Sequence, residues 1–91
     1  MKHNVYFDGK VQSLTLETIE GNATVGVITP GMYTFSTATE EKMAVTSGVL
    51  KVKLPDEGWK EAKAGDVFIV RANVSFDLSA EKDASYICYY K

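Results

Sequence analysis

Val49-Leu50-Lys51-Val52-Lys53-Leu54 alternates at every step, with Leu50, Val52 and Leu54 on one face and Lys51 and Lys53 on the other. Successive side chains of an extended chain point to opposite sides, so this stretch reads as a half-buried strand with its lysines in water. The same period extends in both directions. In Glu41–Ser47, the residues Glu41, Met43, Val45 and Ser47 share a face. Ser13–Glu17, Thr24–Thr29, Asp66–Val70, Ser75–Ala80 and Ala84–Tyr90 are further strand candidates, rich in Val, Ile, Thr, Phe and Tyr. Turn signals separate them: Asp8-Gly9, Glu20-Gly21-Asn22, Pro30-Gly31, Ser47-Gly48, Pro55-Asp56-Glu57-Gly58, Ala64-Gly65-Asp66 and Ala80-Glu81-Lys82-Asp83. Lys60–Lys63 is the best short helical stretch, and it is too short to stand alone. About nine short strands, with a turn roughly every 8 to 12 residues, predict an all-β sandwich or barrel. A barrel this small must close on itself or pair with a partner to hide its edges.

The chain has 91 residues, which predicts a single domain spanning 1–91, since a separate core needs about 50 residues or more. No apolar run approaches the roughly 18 residues of a membrane span, so no membrane partner is expected. Met1-Lys2-His3-Asn4-Val5 lacks the apolar core of a secretion signal. The single cysteine, Cys88, has no internal disulfide partner, and both features point to a reducing cytoplasm. The net charge is −2, with no basic stripe, which excludes a sequence-independent grip on nucleic acid. Catalytic units built on histidine need a positioned imidazole. The one histidine, His3, sits near a terminus expected to fray, so His-based nucleophilic and metal sites are both disfavoured.

The middle of the chain is more specific. Pro30-Gly31 is followed by Met32-Tyr33-Thr34-Phe35-Ser36-Thr37, then Glu41, then Gly48. This resembles the first cupin motif, in which a glycine precedes an H-x-H pair, a glutamate and a second glycine. Gly65, then Arg71-Ala72-Asn73 and Phe76, resembles the second cupin motif. The metal ligands are missing. The H-x-H positions fall on Thr34 and Ser36, or on Phe35 and Thr37 in the shorter spacing; the later histidine falls on Phe76, and only Glu41 survives. Longer strings extend the likeness over essentially the whole chain: Tyr6-Phe7-Asp8-Gly9-Lys10-Val11, Ala23-Thr24-Val25-Gly26-Val27, Met43-Ala44-Val45-Thr46-Ser47-Gly48, Ala64-Gly65-Asp66-Val67-Phe68, Ser75-Phe76-Asp77-Leu78 and Ser85-Tyr86-Ile87-Cys88. The chain is similar to the small, single-domain bacterial cupins of the pyrimidine/purine nucleoside phosphorylase family. That resemblance implies a cupin-type jelly-roll β-barrel. It further implies an enzyme, a pentosyltransferase that splits purine and pyrimidine nucleosides with phosphate into free base and ribose 1-phosphate. No cofactor is implied beyond inorganic phosphate as co-substrate. The family pattern has a proline where this chain has Arg71.

Phosphorolysis of an N-glycosidic bond needs negative charge near a ribose with oxocarbenium character, donors for phosphate, and a flat apolar face and proton donor for the base. Glu41 is the first candidate for the catalytic charge, pointing inward with Met43 and Val45 or else solvated at the barrel mouth. Tyr33, Phe35 and Thr37 share one face and Thr34 and Ser36 the other. Tyr33 and Phe35 either stack on a base or fill the core. Ser36 and Thr37 stand where metal ligands would be, and either offer hydroxyls and backbone amides to phosphate or are ordinary polar β-surface. Phe76 replaces a ligand histidine and lines the same cavity, as stacking platform or as filler. Asp77 is the candidate general acid, although it faces away from the core if Phe76 and Leu78 face inward. Arg71 suits bidentate phosphate capture, or is a surface residue at a strand end. Tyr86, Tyr89 and Tyr90 close a pocket or build a contact between two copies, the latter being the preferred reading, so a homodimer is expected. Cys88 shares a parity with Tyr86 and Tyr90 and reads as a buried small hydrophobe. The sparse catalytic inventory keeps a second reading in view, a non-catalytic cupin that binds a small molecule.

Overall fold

Two antiparallel sheets face each other in the computed structural model, which describes residues 1–91. The strands are β1 (Lys2–Tyr6), β2 (Val11–Thr18), β3 (Gly21–Ile28), β4 (Gly31–Ser36), β5 (Glu41–Ser47), β6 (Val49–Lys53), β7 (Trp59–Lys63), β8 (Val67–Val70), β9 (Ser75–Ala80) and β10 (Ala84–Tyr90). The larger sheet runs β1-β2-β3-β10-β5-β8, and the smaller runs β4-β9-β6-β7. From β3 to β6 each turn carries the chain to the opposite sheet, and the same happens again from β7 to β10. This crossing back and forth makes a jelly-roll barrel rather than a meander.

The period-two reading explains the core. Leu50 and Val52 are buried and Lys51 is exposed, as the alternation requires. Met43 and Val45 point inward on β5, Phe76 and Leu78 on β9, and Tyr86 and Cys88 on β10. Val11, Ile28, Leu50, Leu78, Val45 and Val70 are the largest fully buried side chains and fill the space between the sheets.

Two segments differ from expectation. Trp59–Lys63 is a strand, not a helical stretch, because its main chain pairs with β6 from Lys53↔Trp59 to Val49↔Lys63. Only Ala62 in it is buried, so sequence periodicity carried little signal there. The N-terminus is ordered as β1, paired with β2 from Lys2↔Thr15 to Tyr6↔Val11. His3 is therefore fixed rather than frayed, with Nε2 2.9 Å from Gln12 Oε1, but it is exposed on the sheet edge.

A single 3-10 turn, Phe7–Gly9, follows β1, with Phe7 and Asp8 at φ of 52° and 57°. Left-handed backbone is costly for non-glycine residues and persists where packing holds it. Here the Phe7 ring packs 4.9 Å from Tyr33 and 5.4 Å from Phe35, fastening the turn to the smaller sheet. Gly48 closes the turn between β5 and β6 at φ of 78°, where a Cβ would lie 2.8 Å from the Asp83 carbonyl oxygen.

Candidate active site

Between the two sheets lies a cavity of about 300 Å³. Sites for small ligands begin at about this size. The larger sheet contributes Tyr6 from β1, Ser13 from β2, Glu41 and Met43 from β5, and Tyr86, Cys88 and Tyr90 from β10. The smaller sheet contributes Phe35 and Ser36 from β4 and Phe76 and Leu78 from β9, while Ala38 and Thr39 form part of the rim.

Glu41 is the only charged side chain in this lining. It stands first in β5, opposite Tyr90, and is half-buried. The Cys88 thiol donates to its Oε1 at 3.3 Å. Burial raises the carboxyl above its ordinary value, and the thiol bond partly offsets this. Burial and the neighbouring Glu41 charge in turn push the Cys88 thiol well above the usual range, so it stays protonated. Burial likewise raises the Tyr90 phenol, which lies 3.1 Å from the Thr24 hydroxyl.

Phe35 and Phe76 face each other directly across β4 and β9, with ring centroids 5.9 Å apart and planes at 29°. They form an apolar wall on the side of the smaller sheet. Ser36 lies at the exposed rim, its hydroxyl 3.1 Å from that of Ser75.

Glu41, Phe35, Ser36 and Phe76 are thus brought together. Four other expected site residues are placed elsewhere. Asp77 points out of the barrel, as the burial of Phe76 and Leu78 on either side of it demands, and accepts a 2.7 Å hydrogen bond from Thr34. Tyr33 is buried, but its hydroxyl donates to the Thr29 and Pro30 carbonyls at the turn before β4. Thr37 is buried too, and its hydroxyl donates to the Arg71 carbonyl at 2.6 Å and accepts from the Val74 N–H at 3.1 Å, tying two loops together. Arg71 is exposed and borders a separate surface depression with Asp56 and Glu57.

Tyr6, Ser13, Ala38, Thr39 and the thiol of Cys88 are the lining groups that sequence reasoning missed. The shared parity of Tyr86, Cys88 and Tyr90 marks the cavity wall, and Tyr86, only 6% exposed, closes the pocket instead of building the preferred contact between copies. Tyr89 alone of the four C-terminal side chains Tyr86, Cys88, Tyr89 and Tyr90 turns away from it, its ring 5.6 Å from Lys42 Nζ.

The cupin fold usually implies a metal held by imidazoles. The donors here do not fit one: the cavity offers only one carboxylate and one thiol, His3 lies on the outer edge, and no three of His, Cys, Asp and Glu cluster anywhere.

Comparison with known proteins is consistent with this geometry. The family described as pyrimidine/purine nucleoside phosphorylase matches residues 1–90. The chain belongs to that family. A family member from Pseudomonas putida, named pyrimidine/purine nucleoside phosphorylase, is 50% identical over 99% of this chain and 97% of its own length. A crystal structure of a Vibrio parahaemolyticus protein of unknown function superposes with a TM-score of 0.95 at 40% identity, covering 99% of this chain and 97% of that one. An RmlC-like cupin from Shewanella frigidimarina superposes with a TM-score of 0.74 at 17% identity, covering 96% of this chain and 79% of that one, which supports the cupin fold. Family membership and an acid-bearing cavity between two sheets therefore occur in the same chain.

Proposed function

We propose that this chain is a nucleoside phosphorylase of broad specificity that converts purine and pyrimidine nucleosides and inorganic phosphate to free base and α-D-ribose 1-phosphate, with no metal. Family membership over residues 1–90 supports the activity. The observation that carries the mechanism is the cavity itself, with one half-buried carboxylate facing a stacked pair of phenylalanines and no second charge. The base lies on the Phe35–Phe76 wall. A ring face offers contact area without reading base edges, which suits a broad substrate range. Glu41 opposes the positive charge that develops on the ribose as the C1′–N bond lengthens. A phosphate oxygen forms the new C1′–O bond. The bonding pair leaves on the base nitrogen, which takes a proton from monobasic phosphate or solvent. A non-catalytic binding module is the weaker reading, because the chain belongs to a family named for an enzymatic activity.

The test is release of free base from uridine and adenosine. Release that rises with phosphate concentration and yields ribose 1-phosphate is the expected result. Release without phosphate dependence, or none, contradicts it.

A homodimer in the reducing cytoplasm completes this proposal. Cys88 is an unpaired, buried thiol, and no helix is long and apolar enough to cross a membrane. On the outer face of the larger sheet, Leu14, Val25, Ile87, Ala44 and Val67 stand in register across five strands. Leu14, Val25 and Val67 are 42%, 43% and 51% exposed, an apolar row that a second copy would cover. Sedimentation should give twice the 10.0 kDa chain mass, and Val25→Lys should give the monomer. A monomeric wild type refutes the dimer.

A further inference from the structure

A cavity without a cation must still hold a phosphate anion, given the phosphorylase reading above on which this inference rests. We propose that Ser13 and Tyr86, brought together across Gly26, form the subsite for inorganic phosphate.

The placement follows from register. Ser13 on β2 pairs with Gly26 on β3, and Gly26 pairs with Tyr86 on β10, so the three make one inward-facing row. A Cβ on Gly26 would lie 2.4 Å from both Cζ and Oη of Tyr86. The absent side chain is what lets the phenol lie flat across β3, with its hydroxyl beside Ser13. Both residues line the cavity, and both are buried, at 4% and 6% exposure.

Their hydrogen-bond capacity suits an anion. Asn4 Nδ2 donates to Ser13 Oγ at 3.2 Å and to Thr15 Oγ1 at 2.9 Å. The serine oxygen already accepts a hydrogen bond, which leaves its own O–H to donate, to the Tyr86 oxygen beside it or to an anion that enters. Burial pushes the Tyr86 phenol up to about 12, so it too remains an O–H donor at any physiological pH. Hydrogen bonds from neutral donors to an anion strengthen when water is excluded.

The position also spaces the two charges along the barrel, although the Glu41 charge is still felt at the Tyr86 phenol. Tyr86 stands four residues along β10 from Tyr90, the strand partner of Glu41. At the usual strand rise that is roughly 13 Å of backbone. A pentose held between the two charges would turn its C1′ to the anion while its ring oxygen, which shares the developing positive charge, stays towards the carboxylate. Ser36, the hydroxyl that the sequence suggested for this task, is exposed at the rim and shared with Ser75.

Steady-state kinetics with phosphate varied at saturating uridine, and the reverse, tests the subsite. Tyr86→Phe keeps the ring and removes only the hydroxyl, so its thermal midpoint should stay at the wild-type value. Its KM for phosphate should rise on the order of 10- to 100-fold, the loss of one hydrogen bond to a charged ligand. Its KM for uridine should change by less than about threefold, within the range expected when no contact to the nucleoside is lost. Gly26→Ala, which displaces the phenol without removing it, should give the same split. Equal rises in both constants, or an unchanged phosphate KM, overturn the subsite while leaving the phosphorylase reading intact. A phosphate defect in Ser36→Ala with none in Tyr86→Phe also overturns it, by placing the anion at the rim. A wild type without phosphate-dependent base release overturns the parent reading instead.

Discussion

Glu41→Gln should lower kcat for uridine phosphorolysis by about 100-fold or more while making the folded protein more stable at neutral pH. The first effect follows from the cavity's charge inventory. Nothing else in the lining is negative, so no neighbour can take over the stabilisation of an oxocarbenium-like ribose. Removing one electrostatic group aimed at developing charge costs about 100- to 1,000-fold in comparable sites. The amide keeps the shape, and its oxygen can still accept from the Cys88 thiol. The second effect follows from burial, which raises the Glu41 carboxyl above its ordinary value of 4.5. The unfolded chain therefore gives up this proton at lower pH than the folded one. Well below pH 4.5 both states are protonated and the group is neutral to stability. As pH rises through that value toward the raised one, ionisation favours the unfolded state, so the wild type loses stability that the Gln variant keeps. Thermal midpoints of the two proteins should converge at acid pH and separate at neutral pH, with Gln higher. If Glu41 works ionised, kcat/KM of the wild type should also fall on an acid limb above 4.5. Unchanged turnover in Glu41→Gln removes the residue from the mechanism.

Phe76→Ala should cost both folding and binding. The ring is 4% exposed, stacks on Phe35 and belongs to the central core. Truncating a buried phenylalanine costs about 3 to 5 kcal/mol. At 3 kcal/mol the melting midpoint of a domain this size falls by roughly 12 to 24 °C. Such a loss alone does not tell platform from filler, and Phe76→Leu does. Leucine restores much of the apolar volume but offers no aromatic face. If a base stacks here, the nucleoside KM of the Leu variant should rise roughly 5- to 100-fold, the usual worth of one base–aromatic stack, with the phosphate KM steady. A Leu variant with wild-type constants makes Phe76 a packing residue only.

The barrel was legible because its strands alternate. Val49–Lys53 could be assigned from its own residues, since Leu50 and Val52 lie in the core and Lys51 does not. The same logic placed Phe76 and Leu78 inward and turned Asp77 away. It failed at the edges. Trp59–Lys63 buries one residue, and β1 buries none fully, so neither shows a two-residue rhythm; each is a strand because a neighbour supplies hydrogen bonds. The site was half legible for a related reason. Parity says which way a side chain points but not how far along the barrel it lies. Tyr33 and Thr37 share the parity of Phe35, yet their hydroxyls are consumed by the carbonyls of Thr29, Pro30 and Arg71. Tyr6 and Ser13 reach the cavity only because β1 and β2 wrap beside β3, a contact between strands that no local pattern encodes. The Cys88–Glu41 bond joins residues 47 apart in sequence and follows from the β5–β10 register.

The central claim is that one acid, several hydroxyls and an aromatic wall support phosphorolysis where related folds use a metal. The most direct test is the rate of phosphate-dependent uracil release by protein stripped with a strong chelator, with metal content measured on the same sample. Full turnover at far less than one metal per chain is the predicted result. Turnover that vanishes on stripping and returns with an added divalent transition metal would contradict the account.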